Sequence, residues 1–242
     1  MRFAVISDIH SNLEALAAVL EDVDRQELDA VLCLGDVVGY GPDPVVCVEI
    51  VRTVSLFVLA GNHDYAAVGL TDIRDFNPAA RAAVEWTRQQ LDPRSRAYLT
   101  SLPLTRQDLG AFFVHGSPCD PAEWAYILTL GDARRALECF SESVCFIGHS
   151  HVPAVLEIDS SGEINVLDPQ RVVFRRDSRY IVNVGSVGQP RDGNPDAAYG
   201  IWDIEENVFE LRRVAYDVQT TQRKILQAGL PPVLAHRLTF GH

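Results

Sequence analysis

Five short motifs rich in histidine, aspartate, asparagine and glycine constrain this chain most, because each follows an apolar run typical of a β-strand. In chain order the motifs are Asp8-Ile9-His10, Gly35-Asp36, Gly61-Asn62-His63-Asp64, His115-Gly116 and Gly148-His149-Ser150-His151. In open α/β folds, the groups that bind ligands lie beyond the carboxyl ends of the strands. We therefore expect these polar residues, although far apart in sequence, to meet in one site.

The first part of the chain alternates strand and helix patterns. Apolar runs rich in strand-forming residues predict strands at residues 3–7, 30–34, 54–59, 111–114 and 144–147. Helical patterns between them predict helices at residues 13–23, 44–51, 78–90, 98–102 and 132–140. Ser11 or Asn12 can cap the first of these helices.

After residue 151 the pattern changes to short β-type runs separated by turns. Strands are predicted at residues 154–158, 163–167, 172–174, 180–184, 198–203 and 208–214, and a helix at 218–227. We therefore predict one α/β domain over residues 1–242. Its parts are the motifs in 1–151, a strand-rich second half in 152–215 and a C-terminal helical tail in 216–242. The predicted architecture is two packed mixed β-sheets flanked by α-helices.

The charge balance is strongly acidic, with a formal net charge of −12. A field of this sign repels a nucleic-acid backbone, so dedicated nucleic-acid binding is not expected. A small phosphorylated substrate remains compatible, because bound divalent cations would reverse the local potential. No apolar run approaches the roughly 18 residues of a membrane span, so we expect no membrane attachment and a cytoplasmic location. The oligomeric state stays open.

The cysteines give no signal for cross-linking. They are odd in number and include no C-x-x-C pair, so neither a disulfide framework nor a zinc ribbon is expected. Several lie in apolar runs, and the prediction is therefore buried, reduced thiols. The five positions are Cys33, Cys47, Cys119, Cys139 and Cys145.

The residue types in the motifs suit metal-assisted chemistry on phosphates. Carboxylate and imidazole together favour first-row ions such as Mn, Fe, Zn or Co over Ca or Mg. Two such ions about 4 Å apart can clamp the attacking and leaving oxygens of a phosphate ester. Asp36 is the natural bridging ligand, because a carboxylate has two oxygens.

Each motif has a simpler interpretation when it is considered singly. An isolated Asp8 would be a helix cap, and a lone His115 would more often be a core histidine. His149 and His151 would point to the same face of an extended backbone, which suits chelation. The occurrence of all five motifs together favours metal ligation.

Together the motifs resemble the pattern of the calcineurin-like metallophosphoesterase superfamily, D-x-H, G-D, G-N-H-[DE], H and G-H-x-H. Every block is present in this order between Asp8 and His151, and five blocks in register are specific where one is weak. The resemblance implies the four-layer metallophosphoesterase fold. It also implies hydrolysis of a phosphate ester by a hydroxide that bridges two metal ions.

The resemblance also implies roles for individual residues. The ligands would be Asp8, His10 and His151 for the first ion, Asn62, His115 and His149 for the second, and Asp36 as the bridge. His63 would stay unligated beside the leaving group as the catalytic residue, with Asp64 as a candidate to orient it. The ions would be divalent first-row metals, Mn first, with Fe, Zn, Co or Ni as alternatives.

A closer similarity is to small bacterial and archaeal members, mostly described as phosphodiesterases or dinucleoside-polyphosphate hydrolases. It rests on the segments Gly-Asp-Val-Val-Gly-Tyr-Gly-Pro at 35–42 and Asn-Val-Gly-Ser-Val-Gly-Gln-Pro-Arg-Asp at 183–192. The second segment places Gly185, Ser186 and Arg191 as candidate phosphate-binding residues. Tyr40 is a candidate for stacking on a nucleobase.

One position departs from the wider superfamily pattern. Protein phosphatases and symmetrical diadenosine tetraphosphatases continue the second block as G-D-x-x-x-R-G, whereas this chain has Tyr40 at the arginine position. The departure disfavours a protein phosphatase. It also disfavours a tetraphosphatase unless Arg191 supplies the missing guanidinium.

The expected function is therefore metal-dependent hydrolysis of a phosphodiester or nucleotide-type substrate. The alternative within the same class is symmetrical cleavage of diadenosine tetraphosphate. The alternative from another class is a non-catalytic metal-binding scaffold. The unligated His63 argues against a scaffold, which has no use for such a residue over its metals.

Overall fold

Two six-stranded mixed β-sheets pack against each other and are flanked by eight helices, in a computed structural model that describes all 242 residues. The strands are β1 (Arg2–Ile6), β2 (Ala30–Cys33), β3 (Ser55–Val58), β4 (Thr105–Asp108), β5 (Ala111–Val114), β6 (Val144–Ile147), β7 (Ala154–Ile158), β8 (Ile164–Leu167), β9 (Arg171–Val173), β10 (Arg179–Asn183), β11 (Ala197–Asp203) and β12 (Val208–Val214). The helices are α1 (Leu13–Arg25), α2 (Pro44–Val54), α3 (Asn62–Val68), α4 (Pro78–Gln90), α5 (Pro93–Ser101), α6 (Leu130–Ala136), α7 (Val218–Gln227) and α8 (Pro232–His236). The predicted fold class is confirmed.

The strand order brings the ends of several strands together. The first sheet has the order β3-β2-β1-β11-β12-β9, and the second has the order β4-β5-β6-β10-β7-β8. In the first sheet β1, β2 and β3 are parallel, and in the second β5, β6 and β10 are parallel. The strands after residue 151 complete both sheets, three in each. The carboxyl ends of the motif-bearing strands consequently share one edge in each sheet.

The core between the sheets is largely aromatic. Phe113 and Phe146 of the second sheet stack with their ring centroids 5.5 Å apart. Trp202 and Phe209 of the first sheet face them, and the Trp202 and Phe146 centroids are 4.9 Å apart. Because the central strands are covered on both faces, their sequences are nearly continuous apolar runs rather than alternating ones.

The helices begin where the sequence supplies a cap. The side chain of Asn12 accepts a hydrogen bond from the Ala15 main-chain N–H at 3.1 Å, so Asn12, rather than Ser11, caps α1. Pro44 and Pro78 occupy the first positions of α2 and α4, where a proline costs no hydrogen bond. None of the helices combines the length and apolar character that crossing a membrane requires.

Strand β4 and helices α3 and α8 were not predicted as separate elements from the sequence. Strand β4 reads Thr-Arg-Gln-Asp and pairs only with β5 at the edge of the second sheet, so it carries no apolar signal. Helix α3 begins at Asn62, within the third motif, and is only seven residues long. Helix α6 was predicted to extend to residue 140, but it ends at Ala136.

The expectation of five reduced cysteines was wrong for one pair. Cys119 and Cys139 form a disulfide that closes the segment between them. Cys139 is exposed after the end of α6 and Cys119 is only partly buried, so neither belongs to an apolar strand. The other three cysteines, Cys33, Cys47 and Cys145, are free and buried, as predicted.

We expect Phe146→Ala to destabilise the protein by about 3–5 kcal/mol, because it removes a fully buried ring from the contact between the sheets. Urea unfolding followed by fluorescence measures the loss. The matched control is Val166→Ala on strand β8, whose side chain is largely exposed and whose truncation should change stability little. Equal effects of the two substitutions would contradict the assigned core.

Candidate metal centre

The predicted ligands gather in the cleft between the two sheets. Four follow strands β1, β2 and β3 of the first sheet, and three follow strands β5 and β6 of the second. All seven are buried. They are Asp8, His10, Asp36, Asn62, His115, His149 and His151.

The side chains form two groups that share one carboxylate. In each group the potential ligand atoms lie within 4.8 Å of one another. The first group is Asp8, His10, Asp36 and His151, and the second is Asp36, His115 and His149. Asp36 therefore occupies the position that a bridging ligand requires.

Main-chain N–H groups hold one oxygen of each carboxylate and leave the other free. Asp8 Oδ2 accepts from the His149 N–H at 3.0 Å, and Asp36 Oδ1 accepts from the His63 N–H at 2.9 Å. Asp8 Oδ1 lies 3.2 Å from His151 Nε2, and Asp36 Oδ2 lies 3.3 Å from His115 Nε2. Oδ2 of Asp36 is thus available to both groups, since it also lies 3.5 Å from His10 Nε2.

Three histidines are oriented by main-chain carbonyls. The Nδ1 atoms of His10, His115 and His151 lie 3.1, 3.1 and 2.6 Å from the carbonyl oxygens of Val38, Leu34 and Gln189. An Nδ1–H that donates to a carbonyl fixes the ring and leaves Nε2 with a free lone pair. In each case Nε2 is the atom that faces the carboxylates.

The unpaired polar atoms fit a divalent metal. Buried polar atoms normally have hydrogen-bond partners, yet several in this cleft have none. They are Asp8 Oδ1, Asp36 Oδ2, Asn62 Oδ1, His115 Nε2 and His149 Nε2. This set of nitrogen and oxygen donors suits first-row ions.

The backbone at the ligands adopts an unfavourable conformation. Asp8, His10, Asp36, His149 and His151 all have φ between 50° and 66°, which is uncommon for residues other than glycine. Such conformations cost about 1–3 kcal/mol each and cluster at functional sites. The backbone at 149–151 is therefore turned, and it is not the extended chain considered for chelation by both histidines. The turn places His149 and His151 in different groups, which is the division that the family resemblance implies.

Two glycines next to the ligands are required by close packing. A Cβ atom at Gly61 would lie 2.0 Å from Asp36 Oδ1, and one at Gly148 would lie 2.5 Å from Asp8 Oδ2. Any larger residue would displace the carboxylate that it touches.

The buried carboxylates are held in their charged form by the histidines. Burial alone would raise the pKa of Asp8, but interaction with the imidazoles of His151 and His115 brings it well below its usual range. Burial likewise opposes ionisation of Asp36, and the neighbouring imidazoles of His115 and His63 lower its pKa. Burial also opposes the charge on His115, but Asp36 and Asp8 raise the pKa of that imidazole to about 9.

His149 and His151 favour the neutral form. Burial lowers the pKa of His149 to about 3. Burial and the positive charge of Arg191 lower the pKa of His151 to about 4. Both imidazoles are therefore neutral near pH 7 and carry a lone pair for a metal.

His63 lies beside the two groups but belongs to neither. Its ring is buried, its Nδ1 makes no hydrogen bond, and its centroid is 4.4 Å from that of Tyr40. Burial lowers the pKa of His63 well below its usual value, so the ring is neutral. Asp64 does not orient it, because its two oxygens accept from the N–H groups of Val38 and Gly61 at the start of α3.

A cavity of about 530 Å³ opens over the cluster. Asn62, His63 and His149 line it, so it gives access to both the candidate ligands and the free histidine. Four aromatic rings form much of the remaining wall, those of Tyr40, Phe76, Trp124 and Tyr126. Sequence analysis singled out Tyr40 but missed Phe76 and Trp124, which lie outside the motifs.

The candidate substrate-binding residues have different surroundings. Tyr40 lines the cavity, and Arg191 lies against its ring, with the guanidinium carbon 5.7 Å from the ring centroid. The Ser186 hydroxyl is fully buried and donates to the Asp8 carbonyl at 2.8 Å. The Gly185 N–H donates to Asn183 Oδ1 at 3.0 Å. The Ser186 hydroxyl and the Gly185 N–H are therefore hydrogen-bonded within the protein, beneath the first group of ligands.

Comparison with known proteins agrees with this geometry. The family profile described as the calcineurin-like phosphoesterase superfamily domain matches residues 1–207. The chain belongs to this superfamily. The resemblance in the motifs is thereby confirmed.

Similar proteins occur in bacteria and archaea. The uncharacterized protein MJ0912 of Methanocaldococcus jannaschii is 38% identical over 243 residues, which cover 98% of this chain and 97% of that protein. The crystal structure of a metallophosphoesterase from Sphaerobacter thermophilus is 41% identical, with a TM-score of 0.89 over 100% of this chain and 99% of the other. Hypothetical protein PH1004 from Pyrococcus horikoshii OT3, 20% identical, shares the fold with a TM-score of 0.78 over 100% and 98% of the two chains.

We expect divalent metal to stabilise this superfamily member. A ligand at 100 times its dissociation constant adds about 2.7 kcal/mol, which corresponds to roughly 5–10 °C in melting temperature for a chain of this size. Scanning calorimetry of chelator-treated protein with and without Mn measures the shift. The control is Asp36→Asn, which removes the shared carboxylate and should make melting nearly independent of Mn. A wild-type melting temperature that no first-row metal changes would contradict the candidate metal site.

Proposed function

We propose that the protein is a metal-dependent phosphoesterase with a dinuclear centre, and that it hydrolyses a phosphodiester or nucleotide-type substrate. The observation that carries the proposal is the pair of ligand groups that share Asp36, whose free Oδ2 belongs to both. A shared carboxylate is what a two-metal site needs for in-line displacement at phosphorus.

The first ion would be held by Asp8, His10, His151 and Asp36, and the second by Asn62, His115, His149 and Asp36. When bound, the ions would neutralise charge on the phosphoryl oxygens and activate water for attack. Mn is the expected metal, with Fe, Zn, Co or Ni as alternatives, because the donors suit all of them. The main-chain N–H groups that bind Asp8 and Asp36 keep both carboxylates in place.

His63 would stabilise the leaving group as it departs. It lines the cavity, is neutral, and makes no side-chain hydrogen bond within the protein. A neutral imidazole can donate its N–H to an oxygen on which negative charge develops. Packing of the His63 ring against Tyr40 and Phe76, with centroids 4.4 and 5.1 Å away, holds it in position. A non-catalytic scaffold would have no use for this residue.

The cavity suits an organic leaving group such as a nucleoside or an aromatic alcohol. Its volume falls in the range of about 300–1,000 Å³ typical of small-molecule sites, and aromatic rings offer stacking surfaces. The charged residues of its wall are acidic: Asp72, Asp75 and Glu123. Arg74 pairs with Asp72, but the other two carboxylates are unpaired. The two unpaired carboxylates would repel a nucleoside diphosphate leaving group. Hydrolysis of a phosphodiester is therefore favoured over symmetrical cleavage of diadenosine tetraphosphate.

We expect His63→Asn to lower kcat by about 10²- to 10³-fold, because the leaving oxygen loses its hydrogen-bond donor. Metal content, measured by elemental analysis, should stay at the wild-type value, since His63 is outside both ligand groups. Hydrolysis of bis(p-nitrophenyl) phosphate gives the rate. The matched control is His236→Asn on the exposed surface, which should leave rate and metal content unchanged. Undiminished turnover by the His63→Asn variant would contradict the role of His63 as donor to the leaving oxygen.

A substrate comparison tests the choice of reaction. With Mn present, kcat/KM for bis(p-nitrophenyl) phosphate should exceed that for diadenosine tetraphosphate, because of the unpaired carboxylates in the cavity wall. Product chromatography reports both reactions. Dominant release of ADP from the dinucleotide would favour the tetraphosphatase. Binding of two ions without hydrolysis of any phosphoester would favour a scaffold.

A further inference from the structure

Two arginines flank Tyr40 and have no aspartate or glutamate partner. The guanidinium carbons of Arg191 and Arg237 lie 5.7 and 6.0 Å from the centroid of the Tyr40 ring. Neither arginine makes a salt bridge, although the chain carries an excess of twelve negative charges. Both are partly buried, so their charges are not simply solvated.

Much of the hydrogen-bonding capacity of both guanidinium groups is unused. Arg191 Nη2 donates to Gln189 Oε1 at 2.9 Å and to the Tyr40 hydroxyl at 3.4 Å, whereas its buried Nε has no partner. Arg237 Nε donates to the main-chain oxygen of His242, and its two Nη groups make no hydrogen bond. A guanidinium has five N–H donors, and a phosphate can accept two from each fork.

The electrostatics of the pair favour a bound anion. Burial and the positive charge of Arg191 both lower the pKa of Arg237, and the only opposing group is the Tyr40 phenol. Two like charges held together away from bulk water repel each other unless a counter-charge is present. No aspartate or glutamate side chain supplies that counter-charge, and the main-chain oxygen of His242, the last residue, contacts only Nε of Arg237.

The pair borders the metal centre. The Tyr40 ring lies 4.7 Å from the His10 ring and 4.4 Å from the His63 ring, measured between centroids. The main-chain N–H of Arg191 donates to the His151 carbonyl at 3.2 Å. An anion bound by the two arginines would therefore lie beside a substrate at the metals.

We propose that Arg191 and Arg237 bind a second anionic group of the substrate, with the charge and size of a phosphate, in addition to the phosphate that is cleaved. The substrate class is a nucleotide-type phosphodiester that carries a further phosphate. The proposal rests on the proposed function, and it extends the site to Arg237, which lies in the tail beyond every sequence motif. Arginine is suited to this task because its planar fork matches phosphate oxygens.

Two matched substrates test the proposal with the metal-loaded protein. Thymidine 3′-(p-nitrophenyl phosphate) and its 5′-phosphorylated form share the scissile diester and the leaving group, and differ only in the second phosphate. We expect wild type to favour the 5′-phosphorylated form about tenfold in kcat/KM, the worth of one or two charge-assisted hydrogen bonds. Arg237→Gln should reduce this ratio towards one, and Arg237→Lys should recover part of it.

The matched control is Arg223→Gln, which makes the same change in net charge at an exposed position on α7. It should keep the wild-type ratio. A wild-type ratio near one, or an unchanged ratio in Arg237→Gln, would overturn the proposal. If Arg237→Gln does not fold, Arg191→Gln tests the same ratio.

Calorimetry of the metal-free protein separates this proposal from the catalytic one. Inorganic pyrophosphate should bind to wild type and to Arg223→Gln with equal affinity, and about tenfold more weakly to Arg237→Gln. Equal binding by all three proteins would overturn the arginine site. If neither thymidine ester is hydrolysed with any first-row metal, the proposed function fails, while the pyrophosphate titration still decides whether the arginines bind anions.

Discussion

The structure depends on the burial of two carboxylates and four imidazoles in the cleft between the sheets. Removing such groups from water is costly unless they are paired, hydrogen-bonded or bound to a metal. Hydrogen bonds to the main chain offset part of this desolvation free energy. Main-chain N–H groups bind Asp8 and Asp36, and carbonyl groups orient three histidines. The atoms left unpaired all face the same space. A cluster of this kind is costly without a cation, and this constraint explains why its residues suit a metal ion.

Each of the two sheets supplies and positions part of this cluster. The first sheet supplies both carboxylates, and the second supplies His115, His149 and His151. The aromatic core around Phe146 and Trp202 sets the separation of the sheets, and hence the distances between the two sets of ligands. Left-handed residues at the strand ends turn the ligand side chains into the cleft, and their conformational cost is met by the packed sheets beneath them.

Much of the fold was predictable because its signals are local. Eleven of the twelve strands coincide with predicted β-type runs. The central strands are almost wholly apolar, because they are covered on both faces. Strand β4 was missed because an edge strand can be entirely polar. The Cys119–Cys139 disulfide was missed because spacing alone does not show that two loops meet. Phe76 and Trp124 carried no motif, and only the folded chain places them around the cavity.

The sequence by itself determined which residues gather at the metal centre, because each of the five motifs directly follows an apolar strand whose position is encoded locally. Tertiary structure alone decided which ligand atoms stay free and how the backbone turns at the ligands. It left Oδ2 of Asp36 without a hydrogen-bond partner, and it gave His149 and His151 a left-handed rather than an extended backbone. It also brought Arg237 next to Arg191 and Tyr40. These relations depend on backbone turns and on contacts between distant segments, and the order of residues along the chain does not specify such contacts.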